Sequence, residues 1–231
     1  MRDLDNLVFA HRGVYNNLNT VENSCKAFKK ALDKNLNIEL DVHITKDNEL
    51  IVFHDYNLFR LTGKNKLVKN CTYDELCKLN LLDTKDKIPL LSEVLTLING
   101  KVIIDIEIKN TNKKNLTLKL LDELLSIYNG KFIIQSFYTK YITIINSKYP
   151  LYKKGLLISV PEVLLDYIIN SSFFIKFLKL DFIAYNKELA KSKKVQMLRK
   201  SIPIFIWTIK NEKEMNSFSK YADSFIMNFR Y

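Results

Sequence analysis

Two histidines in this 231-residue chain stand at the ends of apolar runs, His11 after residues 7–10 and His54 after residues 50–53. Imidazole titrates near neutral pH, so such a pair can take one proton and give another. Between them lies Ile38-Glu39-Leu40-Asp41-Val42-His43, and a later run reads Ile104-Asp105-Ile106-Glu107-Ile108-Lys109. A strand turns every second side chain to one face. Glu39, Asp41 and His43 therefore share a face, as do Asp105, Glu107 and Lys109. Carboxylates on a face that would otherwise pack Val and Leu are costly unless they are paired or bind a cation. Three carboxylates from two neighbouring strands suit a hard divalent ion such as Mg²⁺ or Ca²⁺. Residue types alone leave a second outcome open, a buried ion-pair network with Arg12 and Lys109.

The order of these groups resembles the glycerophosphodiester phosphodiesterase family. The family signature runs His-Arg-Gly, Glu-Asn-Thr/Ser, Glu-x-Asp-Val, Thr-x-Asp and His-Asp. The chain carries His11-Arg12-Gly13, Glu22-Asn23-Ser24, Glu39-Leu40-Asp41-Val42, Thr45-Lys46-Asp47 and His54-Asp55 in that order. Ile88-Pro89-Leu90-Leu91, Ile106-Glu107-Ile108-Lys109, Gln135-Ser136-Phe137 and Trp207-Thr208 resemble its later landmarks. The match is dense up to Lys109 and thin beyond it.

The resemblance implies a metal-dependent enzyme that hydrolyses a glycerophosphodiester to glycerol 3-phosphate and an alcohol. It assigns Glu39, Asp41 and Glu107 to a divalent metal, Mg²⁺ or Ca²⁺, and makes His11 and His54 the acid–base pair. Arg12 and Lys109 would neutralise the phosphate, arginine by gripping two oxygens and lysine as a point charge. Trp207 would stack on the glycerol carbons, or else sit in the core. Asp55 either orients the His54 region or forms a turn. Glu22 would brace Arg12 or His11, and Asn23 or Ser24 would cap a helix. Few residues address the leaving alcohol, so broad tolerance is expected there. Two other readings remain: a related phosphodiesterase acting on lysophospholipids or polyol-phosphate polymers, and a non-catalytic phosphoester- or polyanion-binding barrel.

The elements that must position these groups follow from patterning. Apolar content is 47%, which marks a globular chain. Strand candidates fall at 7–11, 37–44, 101–108, 131–136, 153–158, 180–185, 202–208 and 224–228. Helical patterns lie between them, for example at 115–128, 138–148 and 187–200. Such alternation implies parallel strands with crossover helices, and eight strands suit a (β/α)₈ TIM barrel, α/β in class. One domain over residues 1–231 is expected, with a small insertion at about 56–90 after the second strand. Asp47-Asn48 can make a tight turn that folds the second strand back on itself. Asn99-Gly100 and Asn129-Gly130 each end a helical pattern, where glycine can close the helix in a left-handed conformation. The chain ends soon after its last strand, so the eighth helix is expected to be missing or minimal. An open apolar flank would then favour a homodimer.

Charge and cysteines narrow the partners. The formal net charge is +11, but the lysines are scattered and no basic stripe with interleaved aromatics appears, so no nucleic-acid partner is expected. No apolar run reaches the roughly 20 residues of a membrane helix. The aromatic run at 172–179 fits barrel packing or peripheral contact with a lipid surface. No secretory signal opens the chain, and three cysteines form no pairing motif, so a reduced, cytoplasmic protein is expected.

Overall fold

The computed structural model describes residues 3–159 and 177–229. In chain order the first elements are β1 (Val8–Val14), α1 (Cys25–Asp33), β2 (Asn37–Ile44) and β3 (Leu50–Val52). Then come α2 (Phe59–Thr62), α3 (Tyr73–Leu76), α4 (Leu91–Ile98), β4 (Ile104–Ile108), α5 (Lys114–Leu125), β5 (Phe132–Ser136) and α6 (Thr139–Lys148). The last are β6 (Lys154–Ile158), β7 (Phe182–Asn186), α7 (Lys193–Arg199), β8 (Ile204–Ile209), α8 (Glu212–Phe218) and β9 (Ser224–Phe229). Backbone pairing runs β1-β9-β8-β7-β6-β5-β4-β2, and β1 also pairs with β2, so eight parallel strands close into a TIM barrel. β3 is the exception: it folds back antiparallel on β2, Val42 opposite Val52, as the Asp47-Asn48 turn requires. Asn48 takes the left-handed conformation at that turn, φ 72°.

Two compact units divide these elements, residues 1–9 with 133–228 and residues 10–132 with 229–231. In the first, Phe9, Phe205 and Phe182 are fully buried and stack in series, with ring centroids 5.8 and 4.4 Å apart. Gly155 makes the room: a Cβ there would meet the Phe182 ring at 2.3 Å. In the second unit the insertion packs its own apolar cluster, Leu58, Leu61, Val68, Cys71, Leu76 and Leu81, against Val21, Ile51 and Phe53. Thr72 and Glu75 form the capping box that starts α3. All three cysteines are unbridged thiols.

Several expected boundaries shift for local reasons. β1 does not end at His11. It continues to Val14 through a kink at Arg12 and Gly13, whose φ values are 58° and 83°. α7 begins at Lys193 and not near 187, because Ser192 caps it by accepting from the Val195 N–H, while residues 187–192 form turns. The two Asn-Gly pairs are not equivalent. Asn99 and Gly100 are both left-handed at the end of α4, but Gly130 is not, and α5 already ends at Leu125. Gly130 instead gives way to the Tyr128 ring, which would lie 2.4 Å from a Cβ, and the Tyr128 hydroxyl accepts from the Gly100 N–H. The residues after β9, where a missing or minimal final helix is expected, fall outside the described residues, as does the aromatic run except for residues 177–179. No helix among the described residues is long and apolar enough to cross a membrane.

Candidate active site

The parallel register of β2 and β4 sets the acids opposite one another, Glu39 beside Asp105 and Asp41 beside Glu107. All four are buried. One carboxylate oxygen from each of Glu39, Asp41 and Glu107 lies within 4.8 Å of the others, a spacing that one cation can span. Lys109, two residues beyond Glu107 on the same face, pairs with Asp41 at 2.6 Å and with Glu107 at 2.5 Å.

β1 brings His11 and Arg12 to the same place. His11 Nε2 lies 3.9 Å from Glu39 Oε2. The left-handed kink turns the Arg12 N–H onto that same oxygen at 3.1 Å. Gly13 is obligatory in this kink, because a Cβ there would strike the Ala27 backbone of α1 at 2.8 Å. The Arg12 guanidinium donates to Glu22 at 2.7 Å and sits 3.4 Å from Asp41. Glu22 is therefore the brace for Arg12. Of the two capping candidates, Ser24 caps α1 by accepting from the Ala27 N–H. Asn23 turns inward at φ 57° and donates to Asp41 at 2.8 Å.

His54 follows β3 and is partly exposed. Its Nδ1 meets Asp55 Oδ1 at 2.6 Å, which leaves Nε2 as the ring nitrogen for chemistry. Asp55 is thus an orienting residue and not merely a turn former. Arg60, in α2 of the insertion, fixes that carboxylate: it donates to Asp55 at 2.6 Å and to both Glu22 oxygens at 2.6 and 3.0 Å. His43 faces the His54 backbone, donating Nε2–H to its carbonyl at 3.2 Å.

Burial and like charge govern protonation. Desolvation raises the Glu39 pKa well above its ordinary value, and Asp41, Glu107 and Asp105 add to the rise. Desolvation likewise pushes Glu107 up to about 7 despite Lys109. Asp105 is raised by burial and Glu107, and neither of its oxygens has a hydrogen-bond partner. Burial opposes ionisation of Asp41 too, but Lys109 and Arg12 outweigh it and hold its carboxyl far below the usual range. Glu22 falls to about 2, because hydrogen bonds from Arg60 and charge from Arg12 overcome its burial. Burial lowers His54, against Asp41, and drives His43 to about 4, so His43 is neutral. Among the described residues, Arg12 and Lys109 are the arginine and lysine side chains paired with the carboxylate group of Glu39, Asp41, Asp105 and Glu107, and His11 stands 3.9 Å from Glu39. That carboxylate excess fits a divalent cation held by Glu39, Asp41 and Glu107.

One residue expected at the site belongs to the other unit. Trp207 lies within β8, two residues before its end; its indole N–H donates to the Ala184 carbonyl at 2.9 Å, and its ring packs edge-on against Phe137. Two participants were not anticipated. Arg60 comes from a four-residue helix with no periodic signal, and Asn23 shared its capping chemistry with Ser24. Asp105 was visible on the strand face but carried no expected role.

The sequence matches the profile of the Glycerophosphoryl diester phosphodiesterase family over residues 11–228. Among curated proteins, a glycerophosphodiester phosphodiesterase of Bacillus altitudinis is 42% identical over 113 residues, 45% of each chain. A lysophospholipase D of Homo sapiens is 38% identical over 104 residues, 39% of this chain and 33% of that one. The chain spans less than half the length of these relatives. Among solved structures, an Oleispira antarctica phosphodiesterase in complex with the product sn-glycerol-3-phosphate superposes with a TM-score of 0.84 at 18% identity, over 97% of this chain and 94% of that one. At that identity the likeness concerns the fold.

Proposed function

Because the chain belongs to the glycerophosphoryl diester phosphodiesterase family, we propose that it hydrolyses glycerophosphodiesters to glycerol 3-phosphate and an alcohol. The observation that carries this reading is the meeting of the Glu39, Asp41 and Glu107 carboxylates with Lys109, Arg12 and His11 in one buried cluster. A phosphodiester is a monoanion, and a site for it needs fixed positive charge and two proton-handling groups. Arg12, braced by Glu22, and Lys109, held between Asp41 and Glu107, supply the charge. His54, oriented through Nδ1 by Asp55, works at Nε2 and gives a proton to the departing alcohol oxygen. His11 takes the proton from the attacking oxygen.

Glu39, Asp41 and Glu107 would hold Mg²⁺ or Ca²⁺, which when bound polarises the phosphate. Asn23 and Lys109 fix the Asp41 carboxylate in place for that role. We read residues 1–231 as one domain, in line with the span of the family match, and the protein as cytoplasmic. A contact with a lipid surface or a homodimer belongs to the same proposal. The second reading, hydrolysis of lysophospholipids, is favoured by the human relative's name and differs in the acyl chain carried by the glycerol half, not in the leaving alcohol.

The test is a panel of glycerophosphodiesters and a lysophospholipid, assayed for released glycerol 3-phosphate or its acylated counterpart, with and without chelator. Turnover that chelation abolishes and Mg²⁺ or Ca²⁺ restores is the expected result. Binding without turnover of any diester would instead make the chain a phosphoester-binding barrel.

A further inference from the structure

The insertion reaches the acid–base machinery through one side chain. Arg60 of α2 makes four hydrogen bonds to two carboxylates. Its Nε and Nη2 donate to Asp55 at 2.6 and 3.1 Å, and its Nη1 and Nη2 donate to Glu22 at 3.0 and 2.6 Å. The backbone that carries it is anchored, because Leu58 and Leu61, which flank it, are buried in the insertion's apolar cluster. That cluster also packs on Val21, Ile51 and Phe53, so apolar burial already docks the insertion without Arg60.

The two carboxylates depend on Arg60 unequally. Glu22, whose side chain is 3% exposed, keeps a donor on each oxygen without it: Arg12 on Oε1 and Asn17 on Oε2. Asp55 is held differently. Its Oδ1 meets His54 Nδ1, and its Oδ2 has Arg60 as its one hydrogen-bond donor among the described residues. Without Arg60 the Asp55 carboxylate is free to turn, and the imidazole with it. The His54 and Asp55 side chains are 33% and 22% exposed, and a pair that open to solvent fixes little by itself. Support therefore runs outward from buried Glu22 through Arg60 to Asp55, and from there to His54.

We propose, on the glycerophosphodiesterase reading, that Arg60 is a positioning residue for the reaction: it carries the fixed position of Glu22 out to Asp55 and so aims the His54 ring, without touching substrate. Each carboxylate is gripped through two nitrogens, which the single nitrogen of a lysine cannot reproduce. The test is steady-state kinetics of Arg60→Lys and Arg60→Ala on the diester that wild type turns over fastest. Both variants should lower kcat by roughly 10–10²-fold, a part of the 10²–10⁴ that a general acid is worth, with KM little changed because Arg12 keeps its brace. A kcat near that of wild type in Arg60→Lys, or a loss confined to KM, would overturn the proposal. Imidazole nitrogen resonances of isotope-labelled protein give a readout that needs no turnover, and the chain has only three histidines to assign. The His54 Nδ1 signal should shift in Arg60→Lys. Should that variant fail to fold, Glu22→Gln takes its place, since it weakens the anchor and leaves Arg60 present; the same signal should shift there. Should wild type cleave no diester, the hydrolase reading falls and the resonance decides alone. A shift then supports the aiming of His54 by Arg60, and an unmoved signal overturns it.

Discussion

Asp41 takes Asn23 and Arg12 on one oxygen and Lys109 on the other, so three side chains fix a single carboxylate. Glu39 and Glu107 have less help and lean toward protonation. A divalent ion must therefore compete with protons for them. For Glu107 the folded pKa, about 7, lies above its ordinary 4.5. Its contribution to stability is thus full below 4.5 and is lost as pH rises through 7. In the metal-free protein the melting temperature should decline across that window, and added Mg²⁺ or Ca²⁺ should restore more of it at pH 8 than at pH 5. Thermal scans with and without ion check this; an ion effect that shrinks with rising pH would contradict it. Glu22 runs the other way: lowered to about 2, it contributes above 4.5 and is lost as pH falls toward 2. Proton handling makes a separate prediction. His54→Ala should lower kcat by roughly 10²–10⁴, and Asp55→Asn by less, since it orients His54 without touching substrate. Equal losses in steady-state kinetics would make Asp55 more than a positioning residue. The residues readable in advance are those at alternate strand positions, where a charge breaks an apolar pattern. Arg60 was not readable, because its partners Asp55 and Glu22 lie in different segments and no local rule links them.

At the scale of elements, the kink in β1 is the most constrained feature. At Gly13 a φ of 83° combines with the overlap that an added Cβ would make with the Ala27 backbone. Gly13→Ala should cost about 1–3 kcal/mol through the strained conformation, and it should also move the Arg12 N–H off Glu39. Urea unfolding and metal titration of the variant would report the two losses together. A variant as stable as wild type would show that α1 can retreat. By comparison, Ser24→Ala removes an N-cap, worth about 1 kcal/mol, together with the hydroxyl's hydrogen bond to the Val21 carbonyl. Strand positions were legible from alternation, and the β2–β3 hairpin from its turn residues. The continuation of β1 past His11 was not, since Arg12 at positive φ is unusual for a residue with a Cβ. The two Asn-Gly pairs mislead for a related reason: Gly130 serves the tertiary packing of Tyr128, which no local pattern encodes.

For the molecule as a whole, the barrel was legible because strand and helix patterns alternate along the full length. How the aromatic side chains Phe9, Phe182 and Phe205 share space was not, because it depends on residues nearly two hundred positions apart. The formal charge of +11 also acts at this scale. It should speed the encounter with anionic substrates, so kcat/KM should fall as ionic strength rises. The fall should be steeper for a glycerol-phosphate oligomer than for zwitterionic glycerophosphocholine, and stopped assays across a salt series measure it. Finally, every ionisable group of the proposed chemistry lies in one unbroken stretch, residues 10–132, while Trp207 lies in the other unit. A gene recombined near codon 132 would pass on the proton-handling and charge-bearing half intact. The rest of the chain could then drift or be exchanged without touching those groups.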